Sequence, residues 1–254
     1  MKISIVAPNL NEENYLPLFL RSLTNQTFKD FEVIIVDGGS VDKSLEIIKR
    51  FKHELDLKLI IDKTRNIGYI RNIGARLARG KFIFNTSSDT YLEPRLLEKV
   101  VGFLSVHPEC IALAGRTFPM GTKIITHLAY QLFDMLRYLF TVSPMPIKKF
   151  RPSGNFLCIK SHFFWTLGGY PEVKINEDGL LGQKLDQCSI RRSKVFHLGL
   201  WMGHHAKRFE QLSSLKCLMF YIYVLGNMFS FLKPLLRHIE FQSAEKFTSR
   251  SDLR

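Results

Sequence analysis

The chain has 254 residues, of which 46% are hydrophobic and 23% are charged, a composition that excludes a disordered or collagen-like chain. This length allows a single hydrophobic core. The formal net charge of +13 is unevenly distributed, because residues 1–110 carry 16 Lys and Arg against 14 Asp and Glu, and the remainder carries 20 against 9. The basic second half indicates an anionic partner, such as a phosphorylated substrate, anionic lipid or nucleic acid.

The cysteines and the first residues indicate a reducing compartment. No C-x-x-C pair or zinc pattern occurs, so we expect free buried thiols at Cys110, Cys158, Cys188 and Cys217. The chain begins Met-Lys-Ile-Ser-Ile-Val-Ala and enters a strand pattern directly, with an apolar run too short for a signal peptide. We therefore expect the protein to act on the cytoplasmic side of the membrane.

Strand and helix patterns alternate through the first half of the chain. Short runs rich in Val and Ile predict strands at 3–7, 32–36, 57–61 and 81–85. The intervening segments predict three helices: one carrying Leu16, Leu20 and Leu23, one N-capped by Ser40 with Leu45, Ile48 and Phe51 on its apolar face, and one over 69–79 closed by Gly80. Repeated βαβ units predict an α/β fold with a mostly parallel sheet covered by helices on both faces.

The second half is less regular. Further strands are predicted at 110–114, 155–159 and 194–198. Residues 124–140 predict an amphipathic helix. One face of this helix carries Ile125, Leu128, Leu132, Leu136 and Leu139, and the other carries His127, Gln131 and Asp134. We expect one main domain over 1–210, followed by an apolar helical segment over 211–254.

Three polar loops follow predicted strands of the sheet. The first contains Pro8, Asn11 and Glu12, the second contains Asp37, Gly38 and Gly39, and the third contains Ser87, Ser88 and Asp89. Ligands of open parallel sheets bind at the carboxyl ends of the strands, so these loops predict a nucleotide pocket. In that pocket the Asp37 carboxylate would accept from a base or ribose group, and the glycines would let the backbone approach the ligand.

The order of these segments resembles glycosyltransferase family 2. The resemblance is carried by the segments at 4–8, 11–13, 23–27 and 32–44, by 71–75 and 80–84, and by 168–172 and 177–178. It implies an inverting enzyme of the GT-A fold, a Rossmann-like sheet flanked by helices. It also implies a nucleotide-diphosphate sugar as donor, which we expect to be linked to uridine or guanosine. The resemblance itself says little about the acceptor, and we expect a glycan or a lipid-linked molecule.

The family's D-x-D motif, which holds Mg²⁺ or Mn²⁺ against the donor diphosphate, is altered in this chain. The matching triplet is Ser87-Ser88-Asp89, so only the second acid is present. A divalent ion needs only one or two protein carboxylates when substrate phosphates supply further ligands. Asp89 alone can therefore hold the ion against the diphosphate. The resemblance also implies that a C-terminal histidine of the pair His204 and His205 is a metal ligand, with His204 as the candidate, and a polar surface role for the pair is the alternative. An alternative is a catalytically weakened protein that binds a nucleotide sugar through a degenerate metal motif.

By resemblance, Asp178 is the general base that activates the acceptor, with Glu177 beside it. Both acids also suit a helix N-terminus, where negative charge is favourable, and the two roles are compatible. Three basic side chains are candidates to stabilise the negative charge of the diphosphate: Arg71, Lys63 and Arg65. The sequence leaves open which of them reaches the diphosphate. Residues 151–155 are candidates to form the floor of the acceptor-binding pocket, the surface on which the acceptor would lie.

The segment 218–232 is apolar and is bounded by Lys216 and Lys233. A spanning helix needs about 20 apolar residues, so an in-plane helix at the membrane interface fits this segment better than a crossing. A helix packed on the sheet, or at a dimer contact, is the alternative. We expect peripheral membrane contact and no nucleic-acid partner, since no zinc-finger or RNP-like pattern occurs. The absence of G-x-G-x-x-G argues against a dinucleotide-dependent dehydrogenase.

Overall fold

The computed structural model describes residues 2–64, 66–121, 124–143, 150–173, 176–188 and 194–205. Within these ranges the strands are β1 (Ile3–Asn9), β2 (Phe31–Asp37), β3 (Leu57–Ile61), β4 (Phe82–Asn85), β5 (Thr90–Tyr91), β6 (Cys110–Met120), β7 (Leu157–Lys160) and β8 (Lys194–His205). The helices are α1 (Leu16–Thr24), α2 (Ser44–Arg50), α3 (Ile67–Arg76), α4 (Leu96–Val106), α5 (Ile124–Val142), α6 (Ser161–Thr166) and α7 (Glu177–Cys188), with a 3-10 turn at Phe51–His53.

The described strands form one sheet in the order β3-β2-β1-β4-β7-β6-β8-β5. β1 pairs in parallel with β2 and β4, β2 with β3, and β6 with β8. The antiparallel pairs are β4 with β7, β6 with β7, and β5 with β8. Separate hydrophobic clusters cover the sheet, one including Phe19, Leu97 and Phe156 and the other including Ile70, Phe164 and Leu181. The predicted α/β fold with a mostly parallel sheet is confirmed.

Two predicted helix caps are wrong because the residues have partners elsewhere. α2 begins at Ser44, and the Ser40 hydroxyl donates instead to the Asp37 carboxylate at 2.7 Å. α3 ends at Arg76 and is capped by Leu77, while the Gly80 amide donates to the Ser4 hydroxyl at 2.8 Å. Local spacing indicated the helices but did not indicate these hydrogen bonds, of which the one between Gly80 and Ser4 joins distant parts of the chain.

Three of the four cysteines lie in the described residues, where all three are free thiols. Cys110 and Cys158 are buried, as expected, and burial raises the pKa of Cys110 to about 12. Cys188 is exposed at the end of α7, so the expectation of burial is wrong there. Cys217 lies outside the described residues.

The amphipathic pattern of α5 is confirmed, but the polar face is the one that is buried. Asp134 is 1% exposed and accepts hydrogen bonds from Arg116 Nε at 2.9 Å and Arg137 Nη2 at 3.0 Å. The Thr117 amide donates to the same carboxylate at 3.3 Å. Because a buried charge must be paired, this network holds the polar side of α5 against β6 and leaves the apolar side exposed.

The segment 211–254, with its apolar run at 218–232, lies outside the described residues. Among the residues that are described, no helix is both long enough and apolar enough to cross a bilayer.

Substitution of Asp134 by Ala tests the buried network. It removes the carboxylate that compensates the buried Arg137 guanidinium, and breaking a buried pair in this way costs about 3–5 kcal/mol. We expect urea unfolding to show a loss of free energy in that range. Glu46→Gln, which breaks an exposed pair with Arg50, is the control and should cost less than about 1 kcal/mol. Equal losses in the two variants would contradict the network's structural role.

Candidate active site

The loops after β1 and β2 are joined by a buried carboxylate. Asp37, at the end of β2, is 0% exposed. Its Oδ1 accepts from the amides of Gly39 at 2.9 Å and Ser40 at 2.7 Å. Its Oδ2 accepts from Asn9 Nδ2 at 2.6 Å and from the Ser40 hydroxyl at 2.7 Å. Asp37 therefore organises both loops, and a contact with a base or ribose, as the sequence predicts, requires one of these donors to move.

The same two loops exchange further hydrogen bonds along their length. The Asn11 amide donates to the Ser40 hydroxyl at 2.9 Å, and the Val41 amide donates to Asn11 Oδ1 at 3.0 Å. Asn11 has a φ of 51°, a left-handed conformation that Asn tolerates better than most residues. The Glu12 amide donates to the Ser44 hydroxyl at 2.9 Å, which ties the first loop to the start of α2.

A reciprocal pair completes the contact between these loops. The Glu13 amide donates to Asp42 Oδ2, and the Lys43 amide donates to Glu13 Oε2, each at 3.0 Å. Partial burial alone would raise the pKa of Asp42, but hydrogen bonds from Ser44 and from the Glu13 amide lower it overall. Glu13 and Asp42 therefore act as hydrogen-bond acceptors that fix the conformation of the two loops.

Residues of all three polar loops meet at the carboxyl edge of the sheet. The Pro8 carbonyl accepts from the Ser88 amide at 3.3 Å and from its hydroxyl at 3.0 Å, so Ser88 fastens the third loop to β1. The Gly38 amide donates to the Asn9 carbonyl at 2.8 Å. Gly39 has a φ of 86°, and a Cβ there would lie 3.0 Å from Lys63 Cγ, so any other residue would be strained.

Asp89 and His204 converge at the same edge. β5 pairs with the end of β8, which places Thr90 opposite His204, and the His205 amide donates to the Asp89 carbonyl at 2.9 Å. His204 Nε2 then lies 3.4 Å from Asp89 Oδ2, with both side chains largely buried. His204 Nδ1 is buried without a hydrogen-bond partner.

The two adjacent histidines face different surroundings. The His205 ring lies 4.2 Å from the Tyr15 ring, whereas His204 is directed at the Asp89 carboxylate. Carboxylate oxygen and imidazole nitrogen suit a divalent cation that keeps its remaining sites for water and phosphate oxygens. Within the described ranges, no group of three or more potential metal ligands occurs, so Asp89 and His204 are the two ligands that this part of the chain would supply to such an ion.

Arg71 connects the third loop to the start of α7. Its guanidinium donates to the Thr86 carbonyl at 2.9 Å, and its Nε lies 3.6 Å from Glu177 Oε1. The Arg71 side chain is 4% exposed, and it lies over the Tyr170 ring at 5.6 Å. The structure thus places Arg71, one of the three candidates for the diphosphate, in the interior, where it holds Glu177 beside the loop that carries Asp89.

The candidate base Asp178 is oriented by two backbone amides. Asp178 Oδ2 accepts from the Gly154 amide at 2.8 Å, and Oδ1 accepts from the Gly179 amide at 2.7 Å. A Cβ on Gly154 would lie 3.0 Å from Arg71 Nη2 and 3.4 Å from Asp178 Oδ2, so the backbone at Gly154 fills the space between the two side chains. Gly154 belongs to the predicted acceptor floor, and it is next to the predicted base.

Motifs far apart in the sequence pair beside this centre. Asn72 Nδ2 donates to the Tyr170 carbonyl, and the Tyr170 amide donates to Asn72 Oδ1, both at 2.9 Å. Burial is the main cause that raises the pKa of the Tyr170 hydroxyl, so it stays protonated. This pair holds α3, which carries Arg71, against the segment that leads into α7.

A sequence model of the family described as Glycosyl transferase family 2 matches residues 4–165. The chain belongs to glycosyltransferase family 2. Its curated relatives include the poly(ribitol-phosphate) beta-N-acetylglucosaminyltransferase TarS of Staphylococcus aureus, 31% identical over 157 residues, and the poly(ribitol-phosphate) beta-glucosyltransferase of Bacillus spizizenii, 32% identical over 160 residues. The alignments cover 58% and 59% of this chain but only 27% and 25% of the relatives, so this family 2 chain matches about a quarter of their length.

Solved structures of glycosyltransferases share the fold of this family 2 chain. S. aureus TarS 1–349 in complex with UDP superposes with a TM-score of 0.69 at 21% identity, covering 97% of this chain and 77% of that one. The mannosyltransferase PcManGT of Pyrobaculum calidifontis, in complex with GDP-Man and Mn²⁺, gives a TM-score of 0.62 at 18% identity, covering 85% and 62%. The GT-A fold that the sequence implied is confirmed.

The structure groups the predicted site residues of the family 2 chain into three connected sets. The sets are Asn11, Glu12, Asp37, Gly38 and Gly39; Pro8, Ser88, Asp89 and His204; and Arg71, Glu177 and Asp178. Sequence reasoning did not single out Asn9, at the end of β1, or Ser44, at the start of α2, as contributors. Arg65 lies outside the described residues.

The two histidines provide a matched pair of variants for the metal site. We expect His204→Ala to raise the Mn²⁺ concentration that gives half-maximal donor hydrolysis by about tenfold or more, since one of two protein ligands is lost. His205→Ala, which removes a ring whose centroid lies 4.2 Å from that of Tyr15, should leave the Mn²⁺ requirement within about twofold of the unmodified protein, a margin worth about 0.4 kcal/mol. An unchanged requirement in His204→Ala would remove His204 from the site.

Proposed function

We propose that the chain is an inverting glycosyltransferase that moves a sugar from a nucleotide-diphosphate donor to a hydroxyl or phosphate of an acceptor. The observation that carries this proposal is the convergence of Asp89 and His204 at the carboxyl edge of the sheet. Arg71 connects the loop that carries Asp89 to the start of α7, where Asp178 lies. Membership of family 2 supports a transfer reaction of this kind.

The donor diphosphate is assigned to the edge formed by Asp89 and His204. A divalent cation held there, Mg²⁺ or Mn²⁺, would neutralise negative charge that grows on the leaving nucleoside diphosphate. The loops that are joined at Asp37 would form the wall that receives the nucleoside. The TarS complexes with UDP and UDP-GlcNAc, and the PcManGT complex with GDP-Man and Mn²⁺, support a uridine- or guanosine-linked donor.

Asp178 is assigned as the general base. Inversion requires the acceptor oxygen to attack the sugar carbon from the face opposite the leaving group, and a positioned carboxylate accelerates this by accepting the proton. The Gly154 and Gly179 amides each donate to one oxygen of Asp178, which fixes the plane of the carboxylate while lone pairs remain for the acceptor. Glu177 beside it is engaged by Arg71.

Arg71 is assigned a positioning role, because its guanidinium is buried against Thr86 and Glu177. These contacts fix the start of α7 relative to the end of β4. A misplacement of about 1 Å between reacting groups can cost about a hundredfold in rate, so a link of this kind matters for turnover.

For the acceptor, we infer a glycan or lipid-linked molecule. The relatives are named for poly(ribitol-phosphate), a phosphate-containing polymer, and the basic second half of this chain suits an anionic acceptor. We further infer that the reaction takes place on the cytoplasmic side of a membrane, with peripheral contact.

A second candidate, a nucleotide-sugar-binding protein that has lost catalysis, is favoured by one observation. Ser87 stands where the family's motif has its first acid, and a hydroxyl is a weaker cation ligand than a carboxylate.

A panel of nucleotide sugars separates the two candidates. We expect one UDP- or GDP-linked donor to raise the Tm only when Mn²⁺ is present, because ligand binding stabilises the folded state. The same donor should be hydrolysed slowly when no acceptor is added. Stabilisation without hydrolysis or transfer would favour the binding protein, and no stabilisation by any donor would contradict both candidates.

Asp178→Asn tests the assignment of the base. Asparagine keeps the size of the side chain but cannot accept the proton, so we expect the transfer rate to fall by at least about a hundredfold. The Kd for donor with Mn²⁺ should change by less than about threefold, or 0.7 kcal/mol. Gln187→Ala, at an exposed position of the same helix, is the control and should behave as the unmodified protein. Full turnover in Asp178→Asn would exclude this residue as the base.

Arg71→Lys distinguishes positioning from phosphate binding. Lysine cannot hold both the Thr86 carbonyl and Glu177 in this geometry, and the loss of a hydrogen bond to a charged group is worth about 1.5–3 kcal/mol. We expect kcat to fall about tenfold or more while donor affinity stays nearly constant. Arg76→Lys, an exposed arginine of the same helix, is the control. A large loss of donor affinity with kcat retained would instead place Arg71 at the diphosphate.

A further inference from the structure

Helix α5 presents an uncharged apolar surface to solvent. Its outer side chains are Ile124, Leu128, Leu132, Met135, Leu139 and Val142, which are 79%, 63%, 53%, 42%, 45% and 49% exposed. Their spacing of three and four residues places them in one line along the helix, named here the α5 stripe. The charged side chains of α5, Asp134 and Arg137, are both buried on the opposite side. A continuous exposed strip of this kind marks an interaction surface.

Aromatic side chains extend the α5 stripe at its N-terminal end. Phe118 of β6 is 41% exposed and Trp201 of β8 is 55% exposed, with ring centroids 5.9 Å apart. Phe118 also lies 4.8 Å from the His127 ring of α5. Trp is enriched where proteins meet the headgroup region of a bilayer, because its ring is apolar and its N–H is polar.

We propose that the α5 stripe, with Phe118 and Trp201, docks on the surface of an anionic lipid bilayer. The stripe is uncharged along its whole length, as expected for a helix face that lies among acyl chains. Its length of about 28 Å and width of about 10 Å give an area of roughly 300 Å². A stable protein dimer buries about 800 Å² on each partner, so a second copy of the chain could not be held by this surface alone.

The charge of the chain complements such a bilayer. In the sequence, Lys123 immediately precedes α5, and Lys148 and Lys149 follow it within seven residues of Val142. Residues beyond 110 carry 20 Lys and Arg against 9 Asp and Glu. Basic residues next to an apolar surface attract anionic headgroups, and this attraction weakens as salt is added.

The α5 stripe and Trp201 lie near the candidate active site. The consequence drawn from this for the acceptor rests on the proposed function. Trp201 and His204 are three residues apart on β8, which is about 10 Å along a strand. A bilayer against Trp201 would therefore lie close to the edge where Asp89 and His204 meet. An acceptor anchored in the same bilayer would be presented to that edge without diffusing through solution.

Vesicle binding by the full chain tests the proposal. Vesicles containing phosphatidylglycerol should bind the protein at low salt and bind it less as salt is raised. Leu132→Gln with Leu139→Gln keeps both the charge and the helix propensity while removing apolar surface, so we expect at least a tenfold loss of vesicle partitioning. Leu18→Gln with Val106→Gln, at exposed positions on α1 and α4, is the control and should bind as the unmodified protein. Equal binding by the two double variants, or no binding by the unmodified chain, would overturn the proposal.

Trp201 gives a local readout of the same event. In a Trp165→Phe background, Trp201 is the remaining tryptophan, and its emission should shift to shorter wavelength when anionic vesicles are added. An unchanged spectrum with bound protein would assign the contact to another part of the chain and overturn the proposal. Donor hydrolysis in solution should be the same in both double variants. If the protein binds vesicles through the α5 stripe but does not hydrolyse any donor, the proposed function is refuted and the docking surface is not.

Discussion

The buried guanidinium of Arg71 is the charged group on which the geometry of the candidate site depends. It lies between the Thr86 carbonyl, at the end of β4, and the Glu177 carboxylate, at the start of α7. A charge removed from water must be compensated by partners, so these contacts cannot be exchanged freely for solvent. The Gly154 backbone fills the space between Arg71 and Asp178. The loop that carries Asp89 and the helix that carries Asp178 are therefore held by one residue.

The loops after β1 and β2 follow the same physical rule. At the end of β2, Asp37 is fully buried and uses four donors from two loops, including Asn9 and Ser40. Each buried acceptor left without a partner would cost about 1–3 kcal/mol, which explains why the acids and hydroxyls of these loops occur in complementary positions. The polar segments that resemble family 2 in sequence are thus largely loop-forming segments. Asp89, in the third of these segments, instead contacts His204 of β8.

The fold was largely predictable from the sequence, because hydrophobic periodicity is a local signal. Strand β3 was predicted with its observed bounds, and the parallel order placed three polar loops at one edge. The orientation of α5 was not evident from periodicity, because it depends on the buried network around Asp134. The contact between Gly154 and Asp178, 24 residues apart, also depends on tertiary structure. Resemblance identified Asp178, and the structure supplied the donors that orient it.

We propose that Asp89 and His204 hold a divalent cation against the donor diphosphate. Anomalous diffraction from a crystal soaked with Mn²⁺ and a nucleoside diphosphate tests it most directly. We expect one manganese peak within coordination distance of Asp89 Oδ2 and His204 Nε2, next to the diphosphate. A bound nucleotide with no manganese at these two side chains, or with manganese at other residues, would contradict it.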